Sequence, residues 1–363
     1  DGEEFERLAG NYDGARGNAR FIDGLATLLQ SRCGWDVGPQ NIAITNGSQS
    51  SFYVLFHLFA GEFNQGTKRK ILLPLAPEYI GYADVGMGAD LFHTYRPTIE
   101  LRGDREFKYH VDFAHLDVSD EIGAIAVSRP TNPTGNVLTD AEVAHLRELA
   151  IRHEVPFILD SAYGGPFPNI VFPETENLWD NNTILCLSLS KLGLPGLRTG
   201  IIVAHEKVIR AVTAANAIVS LAPGSTGPGL VCAMVEDGSI LDLSDQVIRP
   251  YYQEKVKQPV TWVTAAMGDL PCRIHTPEGA IFLWLWFEGL PITSETLYQR
   301  LKQRGVLVIA GEHFFPGMQD PWTHRHECIR ISYAQDAESV QAGIAIIGEE
   351  VARAYDESVS KTD

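Results

Sequence analysis

The chain has 363 residues, of which 45% are apolar and 21% are charged, as in a globular protein long enough for two domains. Its formal charge of −17 argues against a nucleic acid or an anionic membrane as partner, since either would select a basic surface. Five dispersed cysteines, with no CxxC pair and no histidine at metal-ligand spacing, favour reduced thiols in the cytoplasm and no metal site. No apolar stretch is long enough to span a membrane.

The first two thirds of the chain alternate helical and strand patterns. We predict a helix over 20–30, a strand over 41–45, a helix over 52–60, a strand within 70–79, a strand over 122–128, a helix over 139–153, and strands over 156–160, 184–189 and 200–204. This alternation predicts an α/β fold with a mainly parallel, doubly wound sheet. Functional residues of such sheets lie at the carboxyl ends of the strands.

The pattern changes after about Leu243. A long helical stretch over 244–267 precedes an apolar strand over 279–287, a helix over 294–305, strands over 306–310 and 328–334, and a final helix to about Tyr355. We therefore expect an N-terminal segment over 1–36, a large domain over 37–245 and a smaller α+β C-terminal domain over 246–363. The last residues, 356–363, are expected to fray.

Lys191 ends the apolar strand 184–189 and begins a loop that contains Arg198. A lysine held against apolar walls near another cation loses its proton more readily and can attack an aldehyde. A solvated loop lysine is the more frequent alternative.

Polar residues also follow the two preceding strands. Asp160 ends the strand 156–160, and a buried aspartate needs a donor such as a protonated pyridine nitrogen. Tyr163 could place its hydroxyl beside the same ring. The alternatives are a carboxylate that caps the next turn and a tyrosine that packs in the core. Asn132 lies between two prolines in RPTNPTG, where its amide could bind a phenolic oxygen and a carboxylate together.

An anion site is predicted where a strand turns into a helix at Gly47, Ser48 and Gln49, because backbone N–H groups at a helix start bind phosphate. Ser188 and Arg198, which flank the lysine, could complete it. Many helices open on such residues without binding an anion.

Two further side chains are candidates for ligand contacts. Tyr79, in APEYIGY, could stack on a planar ring, although an aromatic residue there is more often part of the core. Arg330 lies within the apolar strand CIRISYA, where its guanidinium has the right shape for a substrate α-carboxylate. The alternative for Arg330 is an internal salt bridge.

Taken in order, the segments NGSQ, APEY, RPTNPTG, ILDSAYG, SLSKLGLPGLRTG and RISYA resemble the pyridoxal-phosphate-dependent aminotransferases of fold type I, classes I and II. The resemblance covers nearly the whole chain. It implies pyridoxal 5′-phosphate as cofactor, an amino acid and a 2-oxo acid as substrates, a role in amino-acid biosynthesis and a homodimer with a shared active site. The segments TNGSQSSFYVLFHLFAG and PEGAIFLWLWF are most similar to members that transfer an amino group between valine and pyruvate.

The resemblance also implies a role for each candidate residue. Lys191 would bind the cofactor covalently and move the substrate proton, Asp160 would keep the pyridine nitrogen protonated, and Tyr79 would stack on the ring. The phenolic oxygen would be bound by Tyr163 and Asn132, and the substrate α-carboxylate by Arg330 with Asn132. The phosphate would be held by Gly47, Ser48, Gln49, Ser188 and Arg198, and Tyr12 would reach the phosphate of the partner subunit.

Two features depart from many relatives. The spacer between Lys191 and Arg198 is one residue shorter, and the chain is expected to lack an N-terminal arm that covers the site. A β-lyase of the same fold that acts on cysteine conjugates is one alternative function. A ligand-sensing domain of the kind fused to transcription regulators is another, although the acidic terminus offers no DNA-binding module. A nicotinamide enzyme is disfavoured because no GxGxxG follows the first strand.

Overall fold

A computed structural model describes residues 2–63, 66–88, 90–177 and 179–359, apart from the side chains of 3–5 and 359. Within these ranges, none of the helices is both long enough and apolar enough to cross a membrane.

The helices begin where the sequence offers a cap. Thr139, for example, accepts a hydrogen bond from the backbone of Glu142, whose carboxylate accepts one from the backbone of Thr139 in return. The helices are α1 (Gly2–Gly10), α2 (Ala19–Cys33), α3 (Ser48–Phe59), α4 (Asp140–Arg152), α5 (Glu206–Val219), α6 (Thr226–Glu236), α7 (Ser239–Leu243), α8 (Arg249–Lys255), α9 (Lys257–Met267), α10 (Ser294–Gln303) and α11 (Ala337–Val359).

Two sheets contain the strands of the described residues. The strands are β1 (Ile42–Thr45), β2 (Gly61–Glu62), β3 (Lys68–Leu73), β4 (Phe92–Thr94), β5 (Thr98–Arg102), β6 (Glu106–His110), β7 (Ile122–Ser128), β8 (Phe157–Asp160), β9 (Thr183–Ser188), β10 (Gly200–Val203), β11 (Cys272–His275), β12 (Phe282–Phe287), β13 (Ile309–Ala310) and β14 (Cys328–Ser332).

The larger sheet has eight strands in the order β1-β10-β9-β8-β7-β3-β2, with β4 beside β3. Strands β9, β8, β7, β3 and β4 are parallel, and β10 is antiparallel to both of its neighbours. Every residue of β7, β8 and β9 is buried, as expected for a sheet covered on both faces. The prediction of a mainly parallel sheet is confirmed.

The smaller sheet has six strands in the order β13-β14-β12-β11-β6-β5. Strand β6 pairs in parallel with β11, so the segment Thr98–His110 joins the sheet of the C-terminal strands although it precedes β7 in the chain. This segment falls within the range expected for the large domain, 37–245. The division of the chain near residue 245 stays a prediction.

The helical stretch over 244–267 is less regular than expected. It opens with a π-helical turn over Ser244–Ile248 and is interrupted between α8 and α9. Two other bounds differ from the sequence pattern. Only Ile309–Ala310 of the segment 306–310 forms a strand, and α11 reaches Val359 instead of ending near Tyr355. The expected fraying of 356–363 stays a prediction, because the bounds of α11 do not test it and residues 360–363 lie outside the described ranges.

The parallel strands bring three polar residues to one sheet edge. Ser128, the last residue of β7, is in register with Asp160, the last residue of β8, and β9 ends beside them at Ser188. The loop after β9 then carries Lys191 over the same edge.

Candidate active site

A cavity of about 510 Å³ lies at this sheet edge and is closed on its other side by residues of β12 and β14. Its walls contain ten of the residues singled out in the sequence, namely Ser48, Gln49, Tyr79, Asn132, Asp160, Tyr163, Ser188, Lys191, Arg198 and Arg330. Gly47 adjoins the cavity as the N-cap of α3.

Lys191 lies on a 3₁₀ turn after β9 and is half-buried. Its Nζ lies 5.1 Å from the centroid of the Tyr163 ring. Burial, followed by the positive charges of Arg330 and Arg198, lowers the pKa of Lys191, and Asp160 opposes this shift. The side chain therefore lines a cavity in which its neutral form is favoured more than in water, unlike a fully solvated loop lysine.

Asp160 is 7% exposed and accepts two hydrogen bonds. The backbone N–H of Ala162 donates to Oδ1 at 2.9 Å, and the hydroxyl of Tyr82 donates to Oδ2 at 2.7 Å. Burial raises the pKa of Asp160 to about 6, whereas both donors and the charge of Lys191 lower it. Asp160 caps the following turn and also lines the cavity, and its pairing with a donor on a ligand stays a prediction.

The start of α3 is open to an anion. Gly47 has φ of 89°, and it caps the helix without a side-chain acceptor, so no side chain of the N-cap covers the first N–H groups. A Cβ atom at Gly47 would lie 2.2 Å from Nη2 of Arg198, which means that the guanidinium fills the space over the helix start.

The arginine is tied to the loop after β9. Nη1 of Arg198 donates to Oγ of Ser190 at 3.3 Å and to the carbonyl of Pro195 at 3.1 Å. The backbone N–H of Ser190 donates to Oγ of Ser188 at 3.2 Å. Hydroxyls, a guanidinium and helix N–H groups thus meet at one end of the cavity, and this donor set fits a phosphate.

Arg330 lies at the opposite side of the cavity, on β14. Its guanidinium carbon lies 4.2 Å from the ring centroid of Phe282 and 5.3 Å from that of Phe314. Nη1 donates to Oδ1 of Asn132 at 2.7 Å. No carboxylate of the described residues forms an ion pair with Arg330. Among these residues, Arg330 therefore does not form the internal salt bridge that was its alternative role. Since Oδ1 of Asn132 is already an acceptor, its amide nitrogen remains to donate to a ligand.

Two tyrosines shape the wall between these ends. The ring of Tyr79 packs edge-on against Tyr82 at 5.4 Å, and a Cβ atom at Gly81 would lie 2.3 Å from Cε1 of Tyr79. Gly81 therefore leaves room for the Tyr79 ring. Tyr163 packs against Phe282 at 5.7 Å, and burial raises its pKa, so its phenol is neutral at physiological pH.

Gln49 and Tyr12 differ from the rest of the predicted set. Nε2 of Gln49 donates to the carbonyl of Gly81 at 2.8 Å, so this side chain fixes the loop that carries Tyr79. Tyr12 is 85% exposed and does not belong to the cavity wall of its own chain.

Sequence reasoning did not identify three serines of the cavity wall and two polar residues behind it. The serines are Ser128, Ser190 and Ser332, and the residues behind the wall are Tyr82 and Glu78. Ser190 could have been found as the second serine of SLSK. Glu78 could have been noticed as an acidic residue between an apolar strand and Tyr79, but the partners of Tyr82 and Ser128 depend on the sheet register.

The fold and the cavity define an enzyme that acts on amino acids, with an amine for covalent chemistry and a guanidinium free to bind a carboxylate. The sequence model of the family described as aminotransferase class I and II matches residues 6–347. The chain belongs to this family and is an aminotransferase.

Similar proteins agree with this assignment. The chain is 53% identical over 348 residues to the valine–pyruvate aminotransferase of Escherichia coli (strain K12), covering 96% of this chain and 84% of that protein. The crystal structure of valine–pyruvate aminotransferase from Salmonella typhimurium LT2 superposes with a TM-score of 0.91 at 52% identity, covering 98% of this chain and 90% of that one.

A more distant structure shares the fold. The α-aminoadipate aminotransferase LysN of Thermus thermophilus, solved with N-(5′-phosphopyridoxyl)-L-leucine, has a TM-score of 0.78 at 21% identity, and the match covers 98% of this chain and 86% of that one. The similarity of the chain to two valine–pyruvate aminotransferases does not favour the alternatives of a β-lyase or a ligand-sensing domain.

Proposed function

We propose that the protein binds pyridoxal 5′-phosphate in the cavity and transfers the amino group between L-valine and pyruvate, giving 3-methyl-2-oxobutanoate and L-alanine. The observation that carries this proposal is the placement of Lys191 between a buried carboxylate, an open helix start and an unpaired arginine, in a chain 53% identical to a valine–pyruvate aminotransferase.

The residues of the cavity suit each part of this cofactor. Lys191 would bind it covalently and Asp160 would pair with its pyridine nitrogen. Its phosphate would lie against Gly47, Ser48, Gln49, Ser188, Ser190 and Arg198, its ring against Tyr79, and its phenolic oxygen against Asn132 and Tyr163. When bound, the cofactor supplies an electron-accepting ring next to the reacting carbon.

The number of cationic side chains in the cavity wall favours a substrate with one carboxylate. In the part of the chain that the structure describes, the cavity wall contains three cationic side chains, Lys191, Arg198 and Arg330. Lys191 and Arg198 are assigned to the cofactor, which leaves Arg330 for an α-carboxylate. Pro130, Ile281 and other apolar side chains supply much of the remaining wall, together with serines such as Ser332, and this apolar part suits the small side chains of valine and alanine.

Proton transfer is assigned to Lys191. Its pKa is lowered by burial and by the charges of Arg330 and Arg198, so the neutral amine is accessible as a base for the α-proton of the bound amino acid. The phosphate and carboxylate contacts at the two ends of the cavity would hold the substrate in place during this transfer.

The visible absorption spectrum tests both half-reactions. Added pyridoxal phosphate should give a yellow protein, L-valine should bleach it and pyruvate should restore the colour. Lys191→Ala should abolish turnover with an unchanged circular dichroism spectrum, whereas Lys207→Ala, at an exposed position on α5, should behave as the parent protein. A yellow form that valine leaves unchanged would contradict the substrate assignment, and turnover by Lys191→Ala would contradict the role of that lysine.

We also propose that two chains form a homodimer and that Tyr12 reaches the phosphate of the partner subunit. Exposed apolar side chains lie on adjoining elements, with Ile218 at 87% and Leu230 at 60% exposure on α5 and α6. Asn216 of α5 donates to the carbonyl of Ala15, which brings the segment of Tyr12 beside these helices. Sedimentation velocity should show a dimer, and a monomer at micromolar concentration would contradict the proposal.

A cytoplasmic location is proposed as well. All five cysteines are free thiols, as expected for a reducing compartment. Fractionation of the producing cells tests this location directly.

A further inference from the structure

Glu78 is a buried carboxyl group behind the cavity wall, on the turn after β3, and it is 0% exposed. Its Oε1 accepts a hydrogen bond from the backbone N–H of Ser128 at 2.8 Å, and its Oε2 lies 2.5 Å from Oγ of Ser128. The backbone N–H of Tyr79 donates to Oε2 at 3.2 Å. The side chain is therefore held rigidly against the end of β7.

No cation compensates a charge on Glu78. Within the described residues, none of the ion pairs involves it, and the titratable groups that face it are Asp160, Tyr82 and Tyr79, all of them anionic or neutral. An ionised carboxylate in such a place loses its hydration without gaining a cation, so burial disfavours the charged form. Burial accordingly raises the pKa of Glu78 to about 8.

Glu78 is linked to Asp160 through two hydroxyl groups. Oγ of Ser128 lies 3.4 Å from the Tyr82 hydroxyl, and that hydroxyl lies 2.7 Å from Oδ2 of Asp160. We call Glu78, Ser128, Tyr82 and Asp160 the hydrogen-bond chain. Tyr82 is 1% exposed and Ser128 is 3% exposed, so water does not compete for these contacts.

The charge states of Asp160 and Glu78, at the two ends of the hydrogen-bond chain, decide the directions of its hydrogen bonds. An ionised Asp160 only accepts, so Tyr82 donates to it, and the phenol oxygen is then free to accept from Ser128. Ser128 has one hydroxyl proton, so it can donate to Tyr82 only if Glu78 is the donor across the 2.5 Å contact, which requires a proton on Glu78. If Glu78 were ionised, Ser128 would donate its hydrogen bond to Glu78, and the phenol oxygen would lose its donor.

We propose that Glu78 is a positioning residue, a neutral carboxylic acid whose proton begins a one-way hydrogen-bond chain through Ser128 and Tyr82 that keeps Asp160 ionised. The consequence for the cofactor rests on the proposed function, in which Asp160 pairs with the pyridine nitrogen. Hydrogen bonds in series polarise one another, so the donor at Glu78 strengthens the donation from Tyr82 to the carboxylate. The chain thereby offsets part of the effect of burial on Asp160.

Infrared difference spectroscopy tests the protonation of Glu78 directly. The full chain and its Glu78→Gln variant are compared at pH 7, with and without pyridoxal phosphate. Glutamine can accept from the Ser128 backbone and donate to its Oγ, so this variant preserves both contacts with Ser128 and loses only the acceptor of the Tyr79 N–H. We expect a carboxylic-acid carbonyl band that is present in the parent protein and missing in the variant. A difference spectrum with only carboxylate bands would overturn the proposal.

The effect on Asp160 is tested by the pH dependence of pyridoxal phosphate binding, measured by fluorescence. Glu78→Gln supplies a donor and should stay close to the parent protein. Glu78→Met, Ser128→Ala and Tyr82→Phe each break the chain and should weaken binding by about three- to tenfold. They should also move the acidic limit of binding to higher pH, and a purely structural role would not cause that shift.

The comparisons between variants separate the explanations. If Glu78→Gln weakened binding as much as Glu78→Met, the charge of Glu78 would matter rather than its proton, and the proposal would be wrong. If all four variants bound pyridoxal phosphate as tightly as the parent protein and with the same acidic limit, the hydrogen-bond chain would not act on Asp160. If the parent protein bound no pyridoxal phosphate, the proposed function would fail, while the infrared result without cofactor would still decide the state of Glu78.

Discussion

The hydroxyl of Tyr82 lies 2.7 Å from Oδ2 of Asp160 and donates to it inside a wall that excludes water. The carboxylate is thus held between two opposing effects, since burial raises its pKa to about 6 and its hydrogen-bond donors lower it. A buried carboxylate without a bound cation is costly for stability, but it is the group that a cationic ligand such as a protonated pyridine would pair with.

This balance predicts a stability effect for Asp160→Asn. The pKa of Asp160 in the folded protein, about 6, lies above its ordinary value of 3.8, so the carboxyl group stabilises the folded state most below pH 4 and loses this contribution as the pH rises through 6. The asparagine variant does not titrate. Without cofactor it should be more stable than the parent protein at pH 8, by up to about 3 kcal/mol, and the difference should vanish near pH 4.

Urea denaturation of both proteins without cofactor at pH 4, 6 and 8 measures this difference. A constant difference across the three pH values would contradict the assigned shift of Asp160. Pyridoxal phosphate should reverse the order, because it would stabilise the parent protein more than the variant.

Gly47 is expected to tolerate no side chain. Its φ of 89° is unfavourable for other residues, and a Cβ atom would lie 2.2 Å from Nη2 of Arg198. Gly47→Ala should displace the guanidinium from the helix start and weaken pyridoxal phosphate binding by about tenfold or more, since strain of this kind costs roughly 1–2 kcal/mol.

Gly196→Ala is the matched control for this prediction. Gly196 lies in the same loop as Arg198, and a Cβ atom there would meet no atom within 4 Å. Equal affinity of the two variants for pyridoxal phosphate, measured by equilibrium dialysis, would show that the space above Gly47 is not needed for the cofactor.

The sequence was informative wherever a polar residue interrupts an apolar pattern at a strand end. Lys191 and Asp160 stand out for this reason, Arg330 stands out as a charge inside an apolar strand, and the structure brings all three to one cavity. Tyr82 carries no such signal, because a tyrosine in a loop is an ordinary core residue. The position of Glu78 after an apolar strand is a signal, but its complete burial is created only by the fold.

The same distinction applies to the fold. Four strands of the parallel sheet, β3, β7, β8 and β9, are short apolar runs that the sequence pattern identifies, whereas the three-residue strand β4 was not predicted. Strand β6 was missed as a member of the smaller sheet because its partner β11 lies far along the chain, and local sequence does not encode that register.

The unpaired guanidinium of Arg330 leads to a last prediction. It lies over the ring of Phe282 at 4.2 Å and donates to Asn132, so its plane is fixed before a substrate arrives. Arg330→Ala should weaken binding of L-valine by about 2–4 kcal/mol, the range for a lost charge-assisted pair. Arg330→Lys retains the charge but not the planar fork, and it should recover only part of this loss.

Titration of the cofactor absorbance with L-valine measures these affinities. Both variants should bind pyridoxal phosphate about as tightly as the parent protein, because Arg330 lies at the opposite side of the cavity from the phosphate end. Arg353→Ala serves as control, since that side chain is 63% exposed on α11. If lysine restored the full affinity for valine, charge alone would suffice and the fixed plane of Arg330 would be irrelevant. If the alanine variant bound valine as well as the parent protein, the α-carboxylate would have to bind elsewhere.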